Sequence, residues 1–405
     1  MDIDDAHIGR RVREIRTWRK MSQEATAELA GMTGAYLSMI ERGVRPVTRR
    51  STLESLADAL RVAPSELTGQ PYVTNDPLTS EIHAALSGVE SALEVYELGV
   101  DPGVKPRPWS ELSSAVQHLT GTLRGDANYA EQGAVLPDLL GELHTAYVHD
   151  PQHRREVLIA LVYSYRTAAS VCKNLGVRGL PLLAARAAQR CTEELGDPEW
   201  LGYAAYLRGI MGGPQSRSHQ YTLSVRAIDG LTASMSGSSV LQVAGTLHLN
   251  AALAAAVQRD ADQAHEHLNE AARLADELPP HHSNFAGLYF GHDNVALWMV
   301  SLGTELGEGP KVAELARNGR PEVIPLRSWQ ATYFADLGRA LATDRKTRDV
   351  GLRQILKAES IAPQWTRNNP LVRETVLDLL AAARRDAGGR DLRGLAHRMG
   401  VAPTG

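Results

Sequence analysis

Basic side chains are concentrated in one short stretch near the N-terminus. Between Ile8 and Arg50 the chain has ten lysines and arginines and four acidic residues, a local net charge of +6, whereas the whole chain of 405 residues has a net charge of −4. Guanidinium and ammonium groups gathered on one surface neutralise phosphates, which is the chemistry that binding to a nucleic-acid backbone requires. A solvated arginine-rich helix would have the same composition, so the interpretation depends on the elements that position these charges.

The same stretch has the pattern of short helices joined by tight turns. Serine and threonine hydroxyls accept N–H bonds at helix starts, so Ser22 predicts a helix over Gln23–Ala30 and Thr33 predicts another over Gly34–Glu41. Gly31 ends the first of these, because a sharp exit favours a residue that tolerates positive φ. Apolar residues at helical spacing are expected to face a common core: Val12, Ile15, Trp18, Ala27, Leu29, Leu37 and Ile40. Two short helices with a glycine turn between them follow the helix-turn-helix plan.

This stretch resembles the lambda-repressor/Cro-type family, also called the xenobiotic-response-element family. The residues that carry the resemblance are Ser22-Gln23-Glu24, Leu29-Ala30-Gly31, Met32-Thr33, Tyr36-Leu37-Ser38 and Ile40-Glu41-Arg42-Gly43. Later apolar residues match the fourth and fifth helices of that fold: Leu53, Leu56, Ala57, Leu60, Val62 and Leu67. The resemblance covers residues 7 to 70 and implies a five-helix DNA-binding head.

The resemblance also implies a set of DNA contacts. Gln23 is expected to contact a phosphate and to brace the third helix, and Thr33 to bond a phosphate at that helix's positive end. Glu41 is expected to be structural and to pair with a nearby arginine. The full set of implied DNA contacts is Gln23, Thr33, Gly34, Ala35, Tyr36, Ser38, Met39, Arg42, Arg49 and Arg50.

The predicted helix Gly34–Glu41, which in this family reads the DNA bases, differs in sequence from that of well-studied members. Gly34, Ala35 and Met39 stand where amide side chains often read adenine. Specificity is therefore expected to rest on Tyr36, Ser38, methyl contacts and DNA shape. A second interpretation leaves Tyr36 on the surface of the head without a DNA contact.

The chain after the head alternates helical segments with short loops and has little strand-like alternation, so the predicted fold class is all-α. Prolines and turn residues mark a linker at Gln70–Pro77 and a second break at Asp101–Pro108, with a docking or dimerisation helix between them. We therefore divide the chain into a head at 1–70, a linker and docking segment at 71–108, and a helical domain at 109–405.

Helix pairs in this domain resemble tetratricopeptide repeats. The clearest unit spans residues 245–278, with small or apolar residues at Ala252, Ala264, Leu268 and Ala271. Weaker units contain Gly351-Ile355-Ala358-Pro363 and Trp200-Tyr203-Ala204-Leu207, and such pairs stack into a superhelix. Phe290–Val295 and Asn369–Glu374 resemble segments in actinobacterial regulators that combine a head with repeats, and the combination is also similar to the peptide-pheromone sensors of Gram-positive bacteria.

The resemblance implies a concave face that binds a signal. An asparagine amide can pair with the donor and the acceptor of one peptide unit, so Asn250 and Asn294, which lie inside apolar helices, suit an extended peptide. The candidate ligand contacts are Asn250, Asn294, His248, Tyr289, His292, Tyr163, Arg166, Tyr206 and Arg327. Each of them could instead brace the packing between helices.

Motifs for catalysis and metal binding are absent from the sequence. There is no phosphate-binding glycine loop, nucleophile elbow or HExxH, and His281-His282 lacks a third ligand at a suitable spacing. Cys172 and Cys191 are the two cysteines and have no CxxC spacing, which indicates a reducing cytoplasm. We expect neither a signal peptide nor an apolar run of membrane length. We expect no enzyme activity, no cofactor and no metal. The preference for arginine over lysine, 37 against 6, indicates a bacterium with a GC-rich genome.

The leading hypothesis is a homodimeric transcription regulator. Its heads would bind a double-stranded DNA operator, and its repeat domain would dimerise and sense a small molecule or peptide, with no membrane partner. The alternative is a DNA-binding scaffold whose repeats capture a partner protein.

Overall fold

The structure is a computed structural model that describes residues 8–69, 77–212, 217–386 and 389–401. Within those ranges the chain forms α-helices, short 3-10 or π turns and loops, with no strand, so the all-α prediction is confirmed. The predicted N-terminal tail at residues 1–7 and the predicted linker up to residue 76 lie outside the described residues.

The head is a five-helix bundle. Its helices are α1 (Ile8–Trp18), α2 (Gln23–Leu29), α3 (Gly34–Glu41), α4 (Arg50–Ala59) and α5 (Pro64–Thr68). Ser22 Oγ accepts the Ala25 N–H at 3.0 Å, and Thr33 Oγ1 accepts the Tyr36 N–H at 3.2 Å, so both predicted N-caps are confirmed. Gly31 has a φ of 63°, the left-handed conformation that lets the chain leave α2 sharply.

The core of the head contains most of the apolar residues predicted for it, but two were predicted wrongly. Trp18 is 78% exposed and Leu29 is 65% exposed. Trp18 lies six residues after Val12, which on a helix of 3.6 residues per turn rotates it by about 120° away from the buried side. Leu29 lies two residues after the buried Ala27 and is turned by about 160° from it.

The helical domain follows as a succession of antiparallel helices. They are α6 (Pro77–Val95), α7 (Trp109–Gln117), α8 (Tyr129–His149), α9 (Arg154–Asn174), α10 (Leu180–Leu195), α11 (Pro198–Met211), α12 (Arg217–Leu231), α13 (Ser238–Val257), α14 (Ala261–Asp276), α15 (His292–Leu306), α16 (Val312–Leu315), α17 (Arg327–Ala342), α18 (Arg348–Ile361), α19 (Pro363–Asn368), α20 (Pro370–Asp386) and α21 (Arg390–Arg398). Most helices pack against their neighbours in the chain, from α8 and α9 through α13 and α14 to α17 and α18. The predicted break before α7 has no regular structure, and α6 lies against α8 of the same chain.

Small residues allow the closest helix crossings. A Cβ atom added to Gly338 in α17 would lie 2.8 Å from the carbonyl oxygen of Gly351 in α18, so neither glycine has room for a side chain. The predicted unit 245–278 forms the α13–α14 pair, with Arg259 at a φ of 66° in its turn.

Helix α13 corrects one expectation from the sequence. Among the helices that the structure describes, it is the one long and apolar enough to cross a membrane, whereas no such run was expected. Its neighbours α11, α12, α14 and α15 surround it, and 94% of its apolar window is buried inside the fold. A helix that is apolar all round is typical of a protein core as well as of a membrane span, and here the burial identifies a core helix.

Candidate nucleic-acid interface

The second helix of the helix-turn-helix turns one face outward. Leu37 and Ile40 are completely buried and hold α3 on the head. On the opposite side Thr33, Ala35 and Arg42 are exposed. The remaining predicted contacts on this helix are half-buried: Gly34, Tyr36, Ser38 and Met39. An accessible helix whose N-terminus is capped by a hydroxyl has the form that enters a major groove.

A polar network sets the position of this helix. Glu41, at the end of α3, accepts from the Arg16 Nε at 2.5 Å and from the Gln23 Nε2 at 2.8 Å. The hydrogen bond with Glu41 raises the pKa of Arg16, against the opposing effect of burial. The predicted pairing of Glu41 with an arginine is confirmed, and Gln23 is the brace between α2 and α3 that was expected.

Two of the predicted DNA contacts face the helical domain instead of solvent. The Arg50 Nη1 donates to Glu305 at 2.8 Å, and the Arg50 backbone N–H donates to the same carboxylate at 2.9 Å. The Arg49 guanidinium lies against Gly307. In this arrangement a phosphate contact by Arg50 requires that Glu305 release it.

The segment Asn369–Glu374 anchors the head. Glu374 is 1% exposed, and its carboxylate accepts the backbone N–H of Ile8 at 3.3 Å and that of Val47 at 3.1 Å. Leu371 joins the apolar core of the head. The resemblance noted for this segment did not predict its role in holding the head; a glutamate inside the apolar run of α20 was the signal available in the sequence.

Buried charges extend this contact. Glu305, Asp336 and Arg339 are almost fully buried, and Arg339 pairs with Asp336 at 2.5 Å and with Glu305 at 3.2 Å. Burial acts to raise the pKa of Glu305, but the charges of Arg50 and Arg339 outweigh it, so that pKa lies below its ordinary value. Arg339 also donates to the Thr48 carbonyl of the head. A polar contact of this kind is typical of domains that change their relative position.

A cavity of about 790 Å³ lies between the two domains. Helices α4 and α5 close one side of it, through Arg50, Leu53, Glu54 and Pro64 among others. The helical domain forms the other sides, with residues from α9, α15, α17 and α19. The volume falls in the range of pockets that hold small molecules.

The structure brings together four of the nine predicted ligand residues. The Arg166 guanidinium lies 5.2 Å from the ring centroid of Tyr163, and its Nη1 donates to the Ala286 carbonyl at 2.9 Å. Tyr206 packs near the same cluster through Tyr203, and Tyr289 follows the loop that Arg166 holds. Asn294 lies apart from this group and lines the inter-domain cavity.

The other four predicted ligand residues are dispersed. Asn250 is completely buried, and its amide binds Gln220 and Ser224. The Nδ1 atoms of His248 and His267 are 2.9 Å apart. Burial, followed by the charge of His267, lowers the pKa of His248 to about 4. His292 lies 3.3 Å from the Asp276 carboxylate on the surface, and Arg327 forms an exposed ion pair with Asp126. The nine residues therefore do not share one groove, because α13 is covered on all sides and takes Asn250 and His248 into the interior.

The fold and this surface define a class: a helix-turn-helix DNA-binding head attached to a large all-helical domain. Residues 7–68 match the family model described as a helix-turn-helix domain. The HTH-type transcriptional regulator RghRB of Bacillus subtilis is 30% identical over 113 residues, which are 26% of this chain and 80% of that protein. The chain belongs to the family of helix-turn-helix-type transcriptional regulators.

Two relatives from Sinorhizobium fredii agree with this assignment. The HTH-type transcriptional regulator y4wC is 34% identical over 99 residues, which are 24% of this chain and 64% of that protein. The HTH-type transcriptional regulator y4aM is 39% identical over 61 residues, which are 15% of this chain and 42% of that protein. No solved structure matches the chain.

Proposed function

We propose that the chain is a homodimeric bacterial transcription regulator of the cytoplasm that binds double-stranded operator DNA and responds to a small ligand. Each head would place α3 in one major groove of a pseudo-palindromic site. The proposal rests on the two opposite surfaces of the head. One surface exposes α3, and on the other α4 and α5 form a wall of the cavity shared with the helical domain.

The DNA contacts follow from the exposed face. Thr33 would bond a phosphate at the positive end of α3, with Arg42 on the backbone beyond its other end. Gln23 would add a phosphate contact to its bracing role, and Tyr36 would be the side chain on α3 that reaches a base. Gly34, Ala35, Ser38 and Met39 offer small or apolar contacts, so DNA shape would contribute to specificity.

The link between ligand and DNA would be the position of the head. A ligand shifts an equilibrium only by as much as it prefers one arrangement over another. Because the cavity has walls from both domains, an occupant would contact both and favour the docked head. Arg49 and Arg50 would reach phosphates in an arrangement where Glu305 has released the head.

A gel-shift titration against the promoter DNA of the protein's own gene tests the proposal. Raising the salt from about 50 to about 200 mM should weaken binding at least tenfold, because phosphate contacts release counterions. Thr33→Ala should weaken binding, whereas Thr17→Ala, an exposed threonine on α1, serves as the matched control. Circular dichroism checks the fold, since loss of an N-cap costs about 1 kcal/mol.

Binding that is insensitive to salt, or equal for operator and unrelated DNA, would reject the proposed function. Native mass spectrometry of the same sample tests the homodimer, because the proposal requires the dimer mass.

A further inference from the structure

We infer that the cavity between the head and the helical domain binds a small aromatic organic anion, with Lys173 facing its charge and Trp298, Trp329 and Trp365 facing its ring. The inference deepens the proposed function and rests on it for the effect on DNA. The binding itself can be measured without DNA.

Aromatic side chains form part of the apolar wall. Three of the six tryptophans of the chain line this cavity, from α15, α17 and α19, and all three are only half-buried. An indole that lines a cavity and keeps exposed surface has part of its ring open to an occupant. Flat aromatic or apolar groups stack on such faces and gain both buried area and ring contacts. The wall therefore favours a ligand with an aromatic body.

The charges around the cavity leave one cation without a counter-charge. Three arginines that line it are paired with carboxylates: Arg50 with Glu305 at 2.8 Å, Arg217 with Glu54 at 2.9 Å and Arg178 with Glu66 at 2.8 Å. Lys173 also lines the cavity, and no carboxylate within the described ranges pairs with it. Its Nζ donates to the Ile210 carbonyl at 2.6 Å, which leaves the other two N–H groups for a ligand.

The surroundings of Lys173 make its charge costly in the absence of a ligand. The Lys173 side chain keeps exposed surface, but desolvation by the surrounding protein, followed by the positive charges of Arg217 and Arg50, lowers its pKa to about 7. A carboxylate or sulfonate beside the ammonium would offset both effects, because an opposite charge nearby favours the protonated form. An uncharged ligand would not.

A second polar group lines the same cavity. Asn294 is 2% exposed and lines the cavity, and its Nδ2 has no hydrogen-bond acceptor among the residues that the structure describes. A buried donor without a partner costs about 1–3 kcal/mol, and because the Nδ2 atom itself is buried, an acceptor on a ligand would remove that cost once the Asn294 amide turns toward the cavity. A positive charge and a spare amide donor at one cavity select an anion with an acceptor group.

The competing explanation for Lys173 is purely structural. Its bond to the Ile210 carbonyl, in the last turn of α11, satisfies one of the orphan acceptors at a helix C-terminus. In that case replacing Lys173 would change stability but would not affect anion affinity selectively. The two explanations therefore differ in a measurement that compares a charged ligand with its uncharged analogue.

The test uses the full chain and two fluorescent probes that differ by one charged group: 8-anilinonaphthalene-1-sulfonate and the neutral N-phenyl-1-naphthylamine. The sulfonate should bind at one site per chain and at least tenfold more tightly than the neutral probe. Lys173→Met should remove that preference, Lys173→Arg should retain it within about threefold, and Lys346→Met, an exposed lysine, should change nothing.

The location is tested by energy transfer from tryptophan to the bound sulfonate. Replacing Trp329 or Trp365 by phenylalanine should reduce the transfer, whereas Trp109→Phe, which removes a ring stacked on His153 away from the cavity, should not. Circular dichroism confirms that each variant is folded. Equal affinity for both probes, or a charge preference that survives Lys173→Met in a folded protein, would overturn the inference.

The outcome for the site is separate from the outcome for the regulator. Selective anion binding together with no operator binding would reject the proposed function and leave the site standing. Operator binding together with no charge-selective binding would reject the site and leave the regulator standing. If both hold, adding the sulfonate to the gel shift should change the operator affinity.

Discussion

The Glu374 carboxylate is one of the anchors of the head, so replacing it should favour release of the head without unfolding either domain. This side chain accepts the N–H groups of Ile8 at 3.3 Å and Val47 at 3.1 Å across the domain boundary. A hydrogen bond to a charged group contributes about 1.5–3 kcal/mol, so losing two costs about 3–6 kcal/mol. Since about 1.4 kcal/mol corresponds to a factor of ten, Glu374→Ala should raise the equilibrium constant for release of the head from the helical domain by at least about 100-fold.

Amide hydrogen exchange is the assay, because it reports the local opening free energy. Protection at Val47 and Ile8 should fall by that factor in Glu374→Ala. Glu374→Gln, which keeps one acceptor oxygen, should give an intermediate loss. The amides of Leu37 and Ile40 in the head core should keep their protection.

Glu314→Ala provides the matched control, since Glu314 is exposed on α16. It should leave exchange at Val47 unchanged. Native protection at Val47 in a folded Glu374→Ala variant would refute the reasoning that this carboxylate holds the head. Equal loss of protection in Leu37 and Val47 would show global unfolding rather than release.

Three further outcomes follow from the structure. The pKa of Glu305 in the folded protein lies below its ordinary 4.5, so the contribution of Glu305 to docking should be complete above pH 4.5 and lost as the pH falls through the folded pKa. Hydrogen exchange at the Arg50 amide between pH 3 and 6 would detect this loss. Constant protection of that amide over the same range would contradict the prediction. Gly245→Ala places a Cβ against the Phe290 ring, so it should lower the free energy of unfolding by about 1–3 kcal/mol, as measured by thermal unfolding. Gly230→Ala, with open space around the added Cβ, should raise the free energy of unfolding slightly. Asn250→Leu should cost about 1–3 kcal/mol in denaturant unfolding, because the Gln220 amide and the Ser224 hydroxyl each lose one hydrogen bond in the interior; unaltered stability would contradict this.

Residues close together in the chain were sufficient to predict the helix-turn-helix. The caps at Ser22 and Thr33, the glycine exit at Gly31 and the burial of Leu37 and Ile40 each depend on contacts within a few residues or on one helical face. Trp18 and Leu29 were predicted to be buried from the approximate spacing of apolar residues, but the rotation along each helix turns these two side chains to solvent.

Similar local contexts did not predict similar roles in the helical domain. Asn250 and Asn294 both interrupt apolar helices, and the sequence suggested one ligand-binding role for both. The structure buries Asn250 among Gln220 and Ser224, whereas Asn294 lines the cavity and its Nδ2 has no acceptor within the described part of the chain. The difference comes from the helices that cover each residue, and hydrophobic periodicity contains no information about which helices those are.

The amino-acid sequence by itself determined the helices, their caps and the class of the head, because hydrogen bonds inside a helix turn and the spacing of apolar residues are local properties. Tertiary structure alone decided where the head sits and what lies behind it. Glu374 meets Val47 across 327 positions of the chain, and Glu305 meets Arg50 across 255. A cavity walled by both domains exists only once segments so distant have packed, which is why Lys173 had no apparent role until the fold placed it there.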